Sequence, residues 1–317
     1  FQRIIVVPKL LILRRGFSGQ LFKNLAEIHI FVKKSHKINM VCDISTPAAI
    51  YVLIDDPIKA MGLPKPHGNT KVSDSEIVFV AVASQIFYFG NYTRTIKEQF
   101  GEDKLFRYRL TLSVFSKRKK RILDLIERLH DIVTKDKLHE IEGAFIIDSF
   151  PLPLCHEQRE HRVVPLEATK GYCSSKKEYY LGYKVHVLSK SDKGIVQFVI
   201  LPAGDHDLKA AEYLCSNAPA GSVVLADKAY SSAQHEKEIF EKHAVTLKPL
   251  RKSNSKTEDN KPEIQNEIRY HRRRIETLFS RLSSLMPRKI HVTNRDGLYT
   301  KIMFLLVGYT LVNTLKY

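Results

Sequence analysis

The sequence has few cysteines. There are four among 317 residues, namely Cys42, Cys155, Cys173 and Cys215. They are scattered and show no C-x-x-C spacing, which excludes a disulfide framework and a zinc ribbon and favours a reducing, cytosolic compartment. The chain also lacks the H-E-x-x-H pattern of zinc proteases. These absences argue against zinc chemistry, and no partner base is spaced beside a cysteine to make it a nucleophile.

Long apolar runs are also missing. A transmembrane helix needs about 18 apolar residues, but the run at 4–13 is interrupted by a proline and a lysine, and the run at 302–315 carries polar residues. We interpret the second run as a core helix. Residues 1–39 show no clear signal-peptide cleavage region, and we expect them to be a non-native or disordered upstream extension ahead of Met40.

The sequence has fewer acidic than basic residues. Asp and Glu total 34 against 51 Lys and Arg, which gives a formal net charge of +17 and a pI near 9.6. An excess of this size indicates a polyanionic partner, most often nucleic acid, although a ribosome-associated or merely basic protein would share it. The 44% hydrophobic content is ample for the core of one large domain or two modest ones.

Helical patterns dominate the first half of the chain. Ser73 and Glu76 have the spacing of a capping box, and further helices are predicted over 93–101 and 112–133 from their apolar periodicity. Five consecutive cations, Lys117 to Arg121, stand near the start of the last helix. They are either a solvated helix face or a face that contacts phosphates. We expect residues 40–140 to form a helical DNA-binding region.

Strand patterns begin after residue 140. Short apolar runs rich in Val, Ile and Tyr, bounded by turn residues, predict strands at 144–147, 179–188, 194–202, 222–226 and 244–250. The second and third runs read as a hairpin. Asp207 is placed to be the N-cap of a following helix, and a long helix is predicted over 263–286. We therefore expect a mixed α/β sheet covered by helices over residues 141–317.

Two aspartates each close an apolar strand. Asp148 follows the run at 144–147 and Asp227 follows the run at 222–226. Ligands of open α/β sheets bind beyond the carboxyl ends of strands, so the two side chains would meet if these strands are neighbours. Alternatively, each aspartate is an independent turn residue that bonds its own backbone, with Asp148 preceding a turn broken by prolines.

The long helix supplies a third carboxylate. Its apolar stripe is flanked by Glu276, which shares that flank with Arg269, Arg272 and Arg273. Glu276 is either a surface residue in ion pairs worth under ~1 kcal/mol, or a carboxylate directed into a basic groove. Three converging carboxylates suit Mg²⁺, and two such ions about 3.5–4 Å apart can promote an in-line displacement at phosphorus.

Two smaller candidates lie between these carboxylates. Lys184 and His186 share one face of their strand and either touch DNA or form a solvated basic pair at a strand edge. His206 stands between two aspartates like a metal ligand. The predicted N-cap at Asp207 explains most of that stretch, and a role behind the metal ligands stays open.

Six stretches in order resemble a known family. They are IIDSFPLPLC, YYLGYKVHVLS, LPAGDHDLKAAEYL, VLADKAYSS, LKPLRKSN and HRRRIETLFSRL. Together they resemble the catalytic core of the DDE transposases of bacterial insertion sequences, and most closely insertion-sequence family 982, related to the family 4 group. KVSDSEIVF and LSVFSKRKKRILDLI resemble the helical N-terminal part of that family, so the resemblance covers roughly residues 68–315.

The resemblance implies a ribonuclease-H-like fold in which Asp148, Asp227 and Glu276 are the metal-binding triad. It implies two Mg²⁺ or Mn²⁺ ions per active site, and we expect Asp148 to bridge the two ions while Asp227 and Glu276 each complete one site. The implied substrate is double-stranded DNA, both terminal inverted repeats and target, bound by a homodimer at the bacterial nucleoid in the cytoplasm, with no membrane involved. The candidate DNA contacts, with Arg251 matching a family position near the substrate, are Arg251, Lys252, Arg269, Arg272, Arg273, Lys184, Lys117, Arg118 and Lys119.

One family signature is incomplete. The broader group has a Tyr three residues before its Arg and a Lys seven after its Glu. Here Arg272 fits, but position 269 is Arg, with Tyr270 next to it, and position 283 is Ser. The terminal-phosphate contacts of that group are therefore not transferred. The expected activity is cleavage at element ends followed by joining of the 3′-hydroxyl to target DNA. The alternatives are a nuclease without strand transfer and an inactive, domesticated DNA-binding protein.

Overall fold

A computed structural model describes residues 47–63, 70–139, 144–156, 167–173, 176–190, 194–251, 262–286, 290, 292 and 294–314. These residues belong to two compact units. One unit is Thr134–Lys301, and the other contains 47–133 together with 302–314. The first unit begins near the predicted boundary at 140, whereas residues 302–314, expected to belong with it, are part of the second. The predicted upstream extension, residues 1–39, lies outside the described residues.

Helices build the second unit. They are α1 (Pro47–Ala60), α2 (Asp74–Tyr88), α3 (Tyr92–Gln99), α4 (Leu112–Lys119) and α5 (Leu123–His139), whose last residues pass into the first unit. The predicted capping box is confirmed, because the Ser73 hydroxyl accepts from the Glu76 N–H and the Glu76 carboxylate accepts from the Ser73 N–H. Helix α2 is apolar and fully buried over 77–83, as expected for a central helix.

The single helix predicted over 112–133 is wrong, since two helices, α4 and α5, share this stretch. The break falls within the run of cations. Like charges at Lys117 and Arg121, four residues apart, repel each other along a continuous helix. The Arg121 N–H instead bonds the Arg118 carbonyl at 2.8 Å, a tightened last turn.

The first unit contains a mixed sheet. Its strands are β1 (Phe145–His156), β2 (Thr169–Cys173), β3 (Glu178–Lys190), β4 (Gly194–Pro202), β5 (Val223–Ala226) and β6 (Thr246–Pro249). In the described part of the chain their order is β2-β3-β1-β5-β6, with β4 also paired to β3. Strand β1 is antiparallel to β3 and parallel to β5, which is parallel to β6. The helices of this unit are α6 (Leu208–Cys215), α7 (Ala233–His243) and α8 (Pro262–Leu285), and α9 (Arg295–Thr314) begins in it and passes into the second unit after Lys301.

Helices cover both faces of this sheet, which confirms the predicted fold class. On one face Ile147 packs with Leu214 of α6 and Ile239 of α7. On the other face Ile146 packs with Ile268 and Ile275 of α8. We call these the α6–α7 face and the α8 face. Because successive strand residues point to opposite faces, any side chain in register with Ile146 lies on the α8 face.

Two strand predictions are corrected. Strand β1 does not end in a turn after Asp148 but continues through Pro151 to His156. Beyond residue 147 it pairs with β3 alone, and a proline without an N–H is tolerated where only one side of the strand is paired. Strand β3 is not an edge strand, because β1 lies on one side and β2 and β4 lie on the other. The expected solvated pair of Lys184 and His186 is therefore wrong, and His186 is fully buried.

Candidate active site

Strands β1 and β5 bring the two aspartates together. Their parallel pairing ends with Ile147 opposite Ala226, so Asp148 and Asp227 each follow the last paired residue. Both are in register with the α8 face, since Asp148 is two residues from Ile146 and Asp227 two from Leu225, which pack there. The two strands are neighbours, as one of the two interpretations of the sequence required.

Each aspartate is held locally by the next backbone N–H. The Ser149 N–H donates to Asp148 Oδ1 at 2.8 Å, and the Lys228 N–H donates to Asp227 Oδ1 at 2.7 Å. Asp227 caps a short 3₁₀ turn, Lys228–Tyr230. Each aspartate thus makes the backbone hydrogen bond expected of a turn residue, and the two carboxylates nevertheless lie close together. The backbone bonds fix the orientation of each carboxylate.

Helix α8 adds Glu276 and places Arg272 between the carboxylates. One guanidinium nitrogen, Nη1, lies 3.3 Å from Asp227 Oδ1. The other, Nη2, lies 3.8 Å from Asp148 Oδ2 and 3.7 Å from Glu276 Oε1. All three acidic side chains predicted to act together therefore surround a single positive group. Arg272 was predicted from the sequence to contact phosphates, and its position between the three carboxylates was not predicted.

Burial and charge act in opposite directions at Asp148. Burial raises the pKa of its carboxyl to about 6, while the neighbouring Arg272 guanidinium and the Ser149 N–H favour the charged form. Glu276 differs, since 60% of its side chain is exposed against 12% for Asp148. The site thus combines a buried carboxylate on the sheet with an exposed one on the helix.

A buried pair lies behind Asp227 on the α6–α7 face. The Tyr230 hydroxyl and His186 Nδ1 are 2.8 Å apart, and both side chains are almost completely buried. Burial lowers the pKa of His186 to about 4, so the imidazole is neutral. The pair ties the turn that begins at Asp227 to β3. Tyr230 was not among the predicted site residues, and its only signal in the sequence is an aromatic residue three positions after Asp227.

The carboxylates fit a divalent metal by their chemistry. Hard oxygen donors are the ligands of Mg²⁺ and Mn²⁺, and these three already converge on a cation. No group of three or more His, Cys, Asp or Glu side chains that could hold a metal ion occurs within the described residues, and the three carboxylates surround the Arg272 guanidinium instead. The Arg272 Nε is buried and has no hydrogen-bond partner in the described part of the chain, so this position leaves one of its donors unsatisfied.

Two predicted DNA contacts of the first unit are engaged within the protein. Arg251 donates to both Glu236 oxygens, at 2.7 and 2.6 Å, and only 7% of its side chain is exposed. Lys184 binds the Asp205 carbonyl at 2.8 Å and the Asp207 carboxylate. Asp207 is the N-cap residue of α6, as predicted, but its side chain makes no capping bond and pairs with Lys184 instead.

The other predicted contacts differ in exposure. Arg269 and Arg273 are exposed on α8, and Lys117 is exposed on α4. Arg118 binds Asp74 at 2.5 Å and the Val72 carbonyl at 2.7 Å. Burial lowers the pKa of Lys119, whose ammonium lies over the Tyr92 ring. Lys252 lies outside the described residues.

Among the described residues, no helix is both long enough and apolar enough to cross a membrane. No curated protein and no solved structure matches the sequence significantly. The family model described as "Transposase DDE domain" matches residues 140–311, a domain with a ribonuclease-H-like fold, in agreement with the mixed sheet. This match covers more than half of the chain and includes all three carboxylates and Arg272, so the chain belongs to the DDE transposase family.

Proposed function

We propose that this chain is the transposase of a bacterial insertion sequence, of family 982 within the family 4 group. It would cut DNA at the element ends and join the freed 3′-hydroxyl to target DNA. The observation that carries this proposal is the convergence of Asp148, Asp227 and Glu276 around one positive group in a chain of the DDE family. Such a constellation is suited to holding cations against a phosphodiester.

In this proposal Asp148, Asp227 and Glu276 would hold two Mg²⁺ or Mn²⁺ ions, with Asp148 shared by both and Asp227 and Glu276 each completing one site. When bound, the ions would supply activation of the attacking oxygen and stabilisation of the leaving oxygen. In the first step water attacks phosphorus and releases a 3′-hydroxyl. In the second step that hydroxyl attacks a target phosphodiester and displaces one target 3′-oxygen.

Arg272 has two roles in this proposal. Without metal, its guanidinium balances the charge of three carboxylates that would otherwise repel one another. When metal ions bind those carboxylates, the planar guanidinium is free to bind two phosphate oxygens at once. Because Arg272 precedes Glu276 by one helical turn, it stays beside the reacting phosphate.

DNA would lie along the exposed side of α8. Arg269 and Arg273 are its proposed phosphate contacts there, and Lys117 contacts phosphate from α4. Arg251, Lys184 and Arg118 are each paired with an acidic side chain of their own unit, and in this proposal they stabilise local structure rather than contact phosphate. We further propose that the protein acts as a homodimer on the terminal inverted repeats at the bacterial nucleoid.

The test is incubation of the purified protein with Mn²⁺ and DNA that carries the inverted repeats of its own locus, followed by mapping of cut and joined strands. We expect 3′-hydroxyl ends at the repeats and products joined to target DNA. Cut strands without joined products would indicate a nuclease instead. Glu212→Gln, which removes an exposed glutamate paired with Lys242, is the matched control and should keep both activities.

A further inference from the structure

The hairpin of β2 and β3 carries two exposed aromatic rings next to lysines. Tyr172 and Tyr179 are directly opposite each other, are 55% and 53% exposed, and have ring centroids 5.0 Å apart. The Lys170 ammonium lies 4.4 Å from the centroid of the Tyr179 ring. Lys176 and Lys177, both exposed, follow at the turn. We call Lys170, Tyr172, Tyr179, Lys176 and Lys177 the hairpin surface.

The opposite side of this hairpin is firmly packed. Cys173 and Tyr180 are buried against Ala203, and the Gly204 N–H donates to the Thr169 hydroxyl at 2.7 Å. A Cβ at Gly171 would lie 2.6 Å from that of Ala203, so the glycine permits this close approach. The tyrosines are therefore presented by a fixed platform, and binding would cost little conformational entropy.

The hairpin surface lies on the same face of the sheet as the carboxylates. Asp148 is opposite Val187 on β3, and cross-strand partners share a face. Tyr179 precedes Val187 by eight residues of the same strand, an even number, which returns the side chain to that face. At about 3.4 Å per residue the separation along β3 is about 27 Å, or roughly eight base pairs of B-form DNA at 3.4 Å each.

We propose that the hairpin surface binds the sugar-phosphate backbone of the duplex that flanks the cleaved phosphate, about eight base pairs away. The lysines bind phosphates, and the tyrosine hydroxyls and rings contact phosphate oxygens and deoxyribose, as Lys and Tyr do in many DNA complexes. This inference rests on the proposed function, because it uses the carboxylates as the point of cleavage. It adds a second contact region that fixes the direction of the duplex on the protein.

The charge of the surface favours DNA over an apolar protein partner. Three of its five members are cations, and the acidic side chain beside them, Glu178, is 4.0 Å from Lys176. A hydrophobic docking patch would instead be depleted of lysine. The chain as a whole carries +17, which also favours a polyanionic partner.

The test measures affinity for a fluorescent 30-base-pair duplex across a range of salt in EDTA, so that no cleavage occurs. Lys170→Gln and the double variant Lys176→Gln/Lys177→Gln should each weaken binding and flatten the slope of log K against log salt by about one per lost contact. Tyr172→Phe/Tyr179→Phe, which keeps the rings, should weaken binding several-fold with nearly the wild-type slope. The control is Lys237→Gln on α7, a helix of the opposite face, and it should leave both quantities unchanged.

The position is tested with an element-end duplex that carries 5-iododeoxyuridine at single sites. Irradiation should cross-link Tyr172 or Tyr179 to sites about eight base pairs from the scissile phosphate. Wild-type slopes in the lysine variants, or cross-links to these tyrosines at no site between six and ten base pairs, would overturn the inference while leaving the proposed function intact. Absence of DNA binding by the wild-type protein would instead overturn the proposed function, and the inference with it.

Discussion

Replacement of Arg272 by Gln should make metal binding tighter and the metal-free protein less stable. The guanidinium lies 3.3–3.8 Å from three carboxylates. At this separation one ion pair is worth about 4 kcal/mol at an effective dielectric constant near 20. Since Arg272 is 25% and Glu276 60% exposed, solvent screening reduces the total, and we expect a net interaction of about 2 kcal/mol.

A divalent ion that binds the carboxylates of the wild-type protein must first displace this guanidinium. Removal of a competing guanidinium–carboxylate interaction of about 2 kcal/mol corresponds to roughly 30-fold tighter binding of the metal ion. Calorimetric titration of the DNA-free protein with Mn²⁺ should therefore give a dissociation constant about 30-fold lower in Arg272→Gln. Urea denaturation at pH 7.5 should show the variant about 2 kcal/mol less stable without metal, because Asp148 keeps its burial but loses its counter-charge.

The matched control for this prediction is Arg274→Gln. Arg274 lies on the same helix but bonds the Tyr270 hydroxyl at 2.8 Å, so its loss should leave Mn²⁺ affinity unchanged. Unaltered or weaker Mn²⁺ binding in Arg272→Gln would show that the guanidinium does not compete with metal. The guanidinium would then not act as a substitute for a metal ion.

Two further predictions concern pH and salt. The ordinary pKa of histidine is 6.5 and burial lowers that of His186 to about 4, so the unfolded state binds this proton first and stability must fall as pH drops below 6.5. We expect a loss of about 2 kcal/mol between pH 7 and pH 5 from this residue, measured by urea denaturation and absent in His186→Gln; an equal loss in that variant would assign the effect elsewhere. Arg273→Ala should flatten the salt dependence of DNA affinity by about one unit, whereas Arg251→Ala should destabilise the protein and leave the slope unchanged, because Arg251 is bound to Glu236. A flattened slope in Arg251→Ala would restore it as a phosphate contact.

The sequence was sufficient for the parts of the fold that rest on local patterns. The apolar stripe of α8 predicted a helix that packs on the sheet, and Ile268 and Ile275 do so. The apolar runs before Asp148 and Asp227 predicted two strands and left open whether these strands are neighbours. Each of these patterns describes a single helix or strand, and it arises from interactions between residues a few positions apart in the sequence.

Features that depend on distant residues could not be predicted. Strand β1 continues past Pro151 because β3 pairs with it on one side, which no local pattern reveals. Arg251 was predicted only as a DNA contact, and its ion pair with Glu236, 15 residues away in sequence, had no signal in the local pattern. The spacing of Arg272 and Glu276 predicted a shared helix flank. It could not show that the guanidinium would turn towards two aspartates on the sheet.

The most direct test of the central claim is the single-turnover cleavage rate of Asp148→Asn, Asp227→Asn, Glu276→Gln and their pairwise combinations, with Mn²⁺ and element-end DNA. Each single variant removes charge at nearly constant shape and should lower the rate by at least about 10³-fold. The double variants should be no slower than the singles, because groups that act as one unit give non-additive losses. DNA affinity in EDTA should stay near that of the wild type. Cleavage within tenfold of wild type in any single variant would contradict the claim that these three carboxylates form one catalytic site.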